Sequence, residues 1–364
     1  MLIDLGIKLT LAIVVLFGVL NIAGLLTWVE RKQSAVMQDR VGANRAVFYL
    51  PWRWAAPINW VLRKLGGLGL LHPLADVIKL LTKEDFVPET GNRFLFTLAP
   101  WLSVFFALAA FAAIPFGDAL KLFGRAIELQ VAHIDAALLY VLALASIGVY
   151  GVILAGMASG TNLSVLGGLR AASQMLAYEI ALGVSLIGVI IWYGTLDLQE
   201  IIRRQGAALW GWIPQWGVFV QPLGCVLFMT AALAETKRVP FDLPEGEPEI
   251  IGYFVEYSGM KFGLFFLTDF VETVLVAALT TVLFFGGWQI PWLRPDVFSP
   301  TVMALLGVLA FTVKLGFFLW LFMTIRWTLP RFRYDQLMRL GWKALFPLSL
   351  ANIGATSLIR VLVH

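Results

Sequence analysis

Acidic and basic side chains interrupt stretches of this chain that are otherwise almost wholly apolar, and these are the residues whose types and spacing could do chemistry. Asp269 and Glu272 fall in an apolar block at about 262–286, Glu179 in one at 172–194, and Lys314 in one at 303–325. A charge held in hydrocarbon costs at least about 2.5–3.5 kcal/mol on insertion scales, so it persists where it is paired, hydrated or used. The i, i+3 spacing of Asp269 and Glu272 puts both carboxylates on one helix face. Acids so placed can pass a proton from one to the next, the chemistry of a proton relay, with Lys314 as a compensating charge or a further member. The alternative is a static ion-pair cluster that fixes helix packing. An apolar core would usually be at least as stable as such a cluster, which favours the hydrated path.

A second concentration of acids starts where the fifth apolar block ends. Glu235 is followed by Lys237 and Arg238, then by Asp242, Glu245, Glu247, Glu249 and Glu256, with Pro240, Pro244 and Pro248 between them. Prolines at that density exclude a continuous helix. On composition alone this is a solvated loop; beside intramembrane acids it is also a point where protons could enter. Other chemistries find no support. His72, His133 and His364 lack the spacing of metal ligands, and none stands with a serine or cysteine as a nucleophile's base. Gly66-Gly67-Leu68-Gly69 lacks the lysine of a phosphate loop and reads as a turn. The single cysteine, Cys225, can form neither an internal disulfide nor the thiolate set of an iron–sulfur cluster. The chain therefore carries no catalytic redox centre and no metal site of its own.

The elements that must position these residues are membrane helices. Of 364 residues, 60% are hydrophobic and 14% charged, where soluble domains carry roughly a quarter charged. Eight blocks approach the roughly 20 residues needed to cross a bilayer, at about 5–28, 94–115, 134–158, 172–194, 218–234, 262–286, 303–325 and 343–362. The first block lacks a basic leader and a small-residue cleavage site, so it reads as a retained helix. The expected fold is all-α, one polytopic membrane domain over 1–364. Most of the 27 basic residues fall in alternate loops, which places those loops in the cytoplasm and both termini in the periplasm. The longer cytoplasmic loops are then 29–93, 235–261 and 326–342, with a short one between the third and fourth blocks. The net charge of +4 is topological rather than a nucleic-acid footprint. Between Pro51 and Leu65, Trp52, Trp54 and Trp60 alternate with Arg53, Arg63 and Lys64. This is the composition of a helix lying in the headgroup region, which Pro57 would kink.

Several short motifs, spread over nearly the whole chain, carry a resemblance. They are Glu30-Arg31, Gly42-Ala43-Asn44-Arg45, Leu74-Ala75-Asp76-Val77-Ile78-Lys79, Lys83-Glu84, Tyr178-Glu179, Pro240-Phe241-Asp242-Leu243-Pro244-Glu245, Glu256-Tyr257 and Pro330-Arg331-Phe332-Arg333-Tyr334-Asp335-Gln336. With these the chain resembles the NuoH family, the quinone-chamber membrane subunits of respiratory complex I, the NADH:quinone oxidoreductase. The resemblance implies a place at the junction of the membrane and peripheral arms, walling the quinone tunnel, in the inner (plasma) membrane of a bacterium. It implies quinone as substrate, with FMN and iron–sulfur clusters in partner subunits. It places Glu30, Arg31, Asp76 and Lys79 at the quinone chamber, with Arg238, Glu245, Glu247 and Glu249 on a mobile loop beside it. Glu179, Glu235 and Asp269 are implied members of an acidic path into the membrane arm, to which residue spacing adds Glu272 and Lys314. The sequence departs from the family pattern at Ala43, where a proline is usual, at Ser146, where some members carry an acid, and at Asp269, where many carry glutamate. The tryptophan-rich segment resembles an insertion. Two other functions remain open on the residues: the related membrane subunit of a nickel–iron hydrogenase, and a stand-alone proton or ion transporter.

Overall fold

The computed structural model describes every residue except 1, 53–54, 123–124, 210–211, 243–251, 294–297 and 364. The architecture is all-α. Helices α1 (Leu2–Met37), α4 (Arg93–Ala109), α5 (Ala137–Ala158), α6 (Asn162–Tyr193), α10 (Gly259–Phe284), α11 (Pro300–Thr328) and α13 (Phe346–Val363) form the bundle. Each is long and apolar enough to cross a membrane, α4 with a 3-10 extension to Ala113 and α13 with the preceding turns from Tyr334. Two short hairpins, Leu120–Leu122 with Arg125–Ile127 and Ala208–Leu209 with Ile213–Pro214, are the only strand pairs among the described residues.

Helices α1 and α6 run past the apolar blocks that announced them. α1 continues to Met37 and α6 begins at Asn162, ten residues ahead of its block. At 1.5 Å per residue these helices are about 54 and 48 Å long, so their polar ends project beyond a hydrocarbon core of roughly 30 Å. α1 thereby carries Glu30 and Arg31 to the end of the bundle where Arg238 lies. α6 closes on Gly194, whose φ of +65° is the left-handed conformation of a helix C-cap. Asn92 caps α4 by accepting from the amides of Phe94 and Leu95.

The expected fifth span departs most from expectation. It is α9 (Pro222–Glu235), only 14 residues long, preceded by the single turn α8 (Gly217–Val220). Gln221 breaks the two apart with φ −132°. Its buried side chain is the reason: it donates to Thr356 Oγ1 at 2.7 Å and accepts from Asn352 Nδ2 at 3.0 Å, both on α13. Gly188 of α6 leaves the room, since a Cβ there would lie 2.8 Å from Gln221 Oε1. Polar side chains bridging helices across small residues are the usual adhesive between membrane helices.

The tryptophan-rich segment is helical as α2 (Ala56–Leu68), but Pro57 does not kink it. Proline in the first turn sacrifices no hydrogen bond and presets φ. Gly69, with φ +83°, turns the chain into α3 (His72–Thr82), bent 94° from α2. Neither limb alone, at about 20 and 17 Å, reaches across a bilayer.

α10 is the central helix, buried along almost all of its second half and flanked by α1, α4, α9 and α11. The remaining short helices are α7 (Leu198–Gln205) and α12 (Tyr334–Arg339).

Candidate functional site

The site is assembled where α9 ends, because the chain there turns back against three other helices. Gln174, buried on α6, donates to both Ala234 O and Phe241 O at 2.8 Å, clamping the helix end and the following loop to one point. Lys237 takes a left-handed φ of +54°, which turns two successive cations in different directions.

Lys237 points into the protein. Its ammonium lies 3.0 Å from Asp269 Oδ1 on α10 and donates to Tyr253 Oη at 3.3 Å, with both side chains of the ion pair nearly inaccessible. Glu272 follows Asp269 by one turn, as the i, i+3 spacing requires, and its Oε2 is buried without a hydrogen-bond partner among the described residues. Glu235 and Glu272, with Thr236, line an internal cavity of about 40 Å³ whose other walls are mostly apolar side chains of α4, α5, α6 and α10. One water needs roughly 10–15 Å³ of such space, so the cavity has room for about three or four.

Arg238 points the other way. It pairs with Glu30 Oε2 of α1 at 3.7 Å and stacks 4.0 Å above the ring of Phe270. Arg326, near the end of α11, holds the other carboxylate oxygen of Glu30 at 3.1 Å. Glu30 thus joins α1, α11 and the loop after α9. Asp242, four residues beyond Arg238, is buried and meets Arg331 Nη2 at 3.1 Å. Burial pushes its carboxyl up to about 6 from an ordinary 3.8, with the Arg331 and Arg326 guanidinium groups pulling against that rise. Tyr257, stacked on Phe96 at 3.9 Å, has its phenol pushed well up by burial.

Farther along α1, Arg31 Nη2 donates to Asp76 Oδ2 of α3 at 2.6 Å. Lys79, one turn beyond Asp76, is exposed. Arg31 also lines an open cleft of about 370 Å³ with Arg40, Gly42, Asn44, Arg45 and His72. The cleft is basic, and the Gly42-Ala43-Asn44-Arg45 motif forms part of its wall.

Glu179 lies on α6, within electrostatic reach of Glu235. It opens on a groove of about 470 Å³ between α5 and α6, where the hydroxyl of Ser146 donates to Glu179 Oε1. Ser146, expected to mark a missing acid, is therefore a direct partner of the next one. Leu142 lines both this groove and the inner cavity, and so stands between Glu179 and the Glu235–Glu272 pair.

Lys314, expected to compensate or extend the acids, meets backbone carbonyls. Its ammonium donates to the carbonyls of Phe285, Gly287 and Gln289 at 2.7, 3.0 and 2.7 Å and lies 4.4 Å from the centre of the Trp216 ring. The first of those carbonyls follows the C-terminal end of α10, 13 residues or roughly 20 Å beyond Glu272. A cation there answers the negative end of the helix dipole. Glu245, Glu247 and Glu249 lie outside the described residues.

The residues that sequence reasoning left without a role are Lys237 and Arg326. Both are basic residues at the edge of an apolar helix, a position that reads as a topological signal; only folding shows that each meets a carboxylate.

The NADH dehydrogenase family profile matches residues 9–357 of the chain. The H subunit of NADH-quinone oxidoreductase from Thermomicrobium roseum is 46% identical over 352 residues, covering 96% of this chain and 94% of that protein. Its counterpart from Flavobacterium psychrophilum is 44% identical over 340 residues, 92% of each chain. A counterpart from Geobacter metallireducens is 42% identical over 360 residues, 99% of this chain and 98% of that one.

Proposed function

Because the chain belongs to the family of NADH-quinone oxidoreductase H subunits, we propose that it is the membrane component that receives quinone and carries the proton demand of its reduction into the bilayer. The observation that carries this reading is the succession of charged groups from the end of the bundle into its interior. It runs from Arg31–Asp76 and the basic cleft, through Glu30 with Arg238 and Arg326, to Lys237–Asp269 and the cavity shared by Glu235 and Glu272.

Reducing a quinone to the quinol consumes two electrons and two protons. The electrons come from outside this chain, whose one cysteine is buried on α9; FMN and iron–sulfur clusters in partner subunits supply that chemistry. Arg31, Asp76 and Lys79 form the polar wall against which the quinone is held, with Arg238 on the loop beside it. A proton drawn toward the chamber is replaced along Asp269, Glu272 and Glu235. Glu179, with its Ser146 partner, faces a neighbouring chain across the open groove. These carboxylates lie close to one another and to buried cations, so a change of charge at one shifts the field at the next. Lys314 belongs to the frame of this path and not to the path itself.

The protein is then a multi-pass component of the bacterial plasma membrane, bound to the other membrane and peripheral subunits of the complex. The hydrogenase reading is disfavoured by the names of the relatives described above, each of which specifies quinone. Purification of the chain in mild detergent tests the proposal. Co-purification with flavin, iron and inhibitor-sensitive NADH:quinone reductase activity is expected; a nickel-containing partner without quinone reductase activity, or an ion-transporting chain isolated alone, overturns it.

A further inference from the structure

Quinone reduction and proton transfer leave the tryptophan-rich segment unused. Between Asp39 and Asp76 the sequence has no acidic residue but has Arg40, Arg45, Arg53, Arg63 and Lys64. This single-sign stretch follows directly on a spanning helix, and it includes α2. Three sets of contacts fix α2 in place. Trp28 Nε1 of α1 donates to Leu68 O at 2.9 Å, which holds the C-terminal end of α2 to the bundle. The Asn59 side chain accepts from Leu50 N and donates to Leu50 O, both at 2.9 Å, which folds the preceding segment onto the helix. Gly66 permits contact with that segment, since a Cβ there would lie 2.6 Å from Val47 Cγ2, and Gly69 sits so close to Ala43 O that only glycine fits.

Between the segment and the helix is an open cleft of about 480 Å³ whose walls include Val47, Tyr49, Trp52, Asn59, Trp60 and Arg63. Its aromatic side chains are not core residues: Tyr49, Trp52 and Trp60 are 78%, 53% and 61% exposed. Lys64 extends 3.9 Å above the Trp60 ring. Aromatic rings with polar edges, flanked by cations and by exposed Ile58, Val61 and Leu68, have the composition of a surface lying at the headgroup level of a bilayer.

We infer that this cleft binds the headgroup of an anionic phospholipid. The phosphate meets Arg63 and Lys64, the tryptophans bracket the glycerol region, and the acyl chains lie along the apolar side of α2. Three observations single out a lipid. The charge is wholly positive over the stretch, α2 is tied to spanning helix α1 through Trp28, and apolar residues are exposed beside the basic ones, as an amphiphile requires and a free anion does not. Clusters of four or more basic residues beside a membrane span select anionic lipids, with roughly a fivefold gain for each charge near the surface. The inference does not depend on the quinone reading.

The test places a photo-crosslinking residue in the cleft, Ala56→p-benzoylphenylalanine, in the intact complex reconstituted into phosphatidylcholine vesicles containing a minor fraction of phosphatidylglycerol. Irradiation and mass spectrometry of the adduct read which molecule occupies the cleft. The adduct is expected to be phosphatidylglycerol, with a ratio to phosphatidylcholine at least about 25-fold above that of the vesicle, a factor of about five for each of Arg63 and Lys64. The enrichment should fall roughly fivefold in Arg63→Gln and again in Arg63→Gln/Lys64→Gln, and return in Arg63→Lys. Raising the ionic strength should lower it without any further variant, because exposed charges are screened. An adduct in the bulk lipid ratio, an adduct to a protein chain, or enrichment unaffected by salt overturns the inference.

Discussion

Replacing Lys237 by methionine separates the structural from the electrical part of the buried cluster. The ammonium is almost inaccessible and 3.0 Å from Asp269. Removing one partner of a buried pair strands the other, at a cost of about 3–5 kcal/mol, while replacing both by apolar side chains of similar size is commonly neutral. At 1.4 kcal/mol per factor of ten, Lys237→Met alone should lower the folded-to-unfolded ratio by roughly two to nearly four orders of magnitude. Lys237→Met/Asp269→Leu should recover at least half of the lost free energy. The assay is a double-mutant cycle on thermal dissociation of the purified complex, read together with the level of the chain in membranes. Coupling of at least about 2 kcal/mol between the two positions is expected, and the stable double variant should pump no protons. If the two single effects add within about 0.5 kcal/mol, as independent sites do, the cluster is not a buried pair and the reasoning from its geometry fails.

Three further outcomes are expected. Asp242, with its carboxyl raised to about 6 in the folded protein, binds protons more tightly there than when unfolded; its contribution to stability is therefore lost as pH rises from about 4 to 6 and is constant above. The difference in unfolding free energy between wild type and Asp242→Asn should follow that slope, spanning up to about 3 kcal/mol, and a flat difference over this window would refute it. Lys314→Met leaves three carbonyls without their donor and should cost about 2–4 kcal/mol of stability, measured by thermal dissociation, with the proton-to-electron ratio of assembled enzyme unchanged; a changed ratio would return Lys314 to the relay. Ser146→Ala removes one hydrogen bond from Glu179, worth about 1 kcal/mol, and should slow coupled turnover no more than about fivefold in a steady-state assay, where Glu179→Gln slows it far more.

The membrane helices were legible in the sequence because hydrocarbon imposes length and apolarity directly on a spanning helix. Their ends were not, since α1 and α6 continue as polar helix beyond the bilayer, where hydropathy carries no signal. α9 was overestimated for the opposite reason: Gln221 interrupts an apolar run and is satisfied by Asn352 and Thr356, 131 and 135 residues away, a partnership that no local pattern announces. Within the site, the shared face of Asp269 and Glu272 follows from helical period alone. The partners of these acids do not, because Lys237 and Arg238 are adjacent in sequence and diverge only through the left-handed turn at Lys237. The partners of Lys314 were not legible, because a lysine in an apolar block announces that its charge must be met, and not by what. Backbone carbonyls meet it as well as carboxylates do.

The central claim is that Glu235 and Glu272, facing one internal cavity, carry the proton demand of quinone reduction. Its most direct test is NADH-driven proton uptake into sealed vesicles by Glu235→Gln and Glu272→Gln, beside NADH oxidation by an artificial acceptor that takes electrons before quinone. Each variant should lose at least about tenfold in quinone-linked proton translocation, a conservative bound for a removed proton-transfer group, while the artificial-acceptor rate stays at the wild-type level. Full quinone-linked pumping in both assembled variants would contradict the claim.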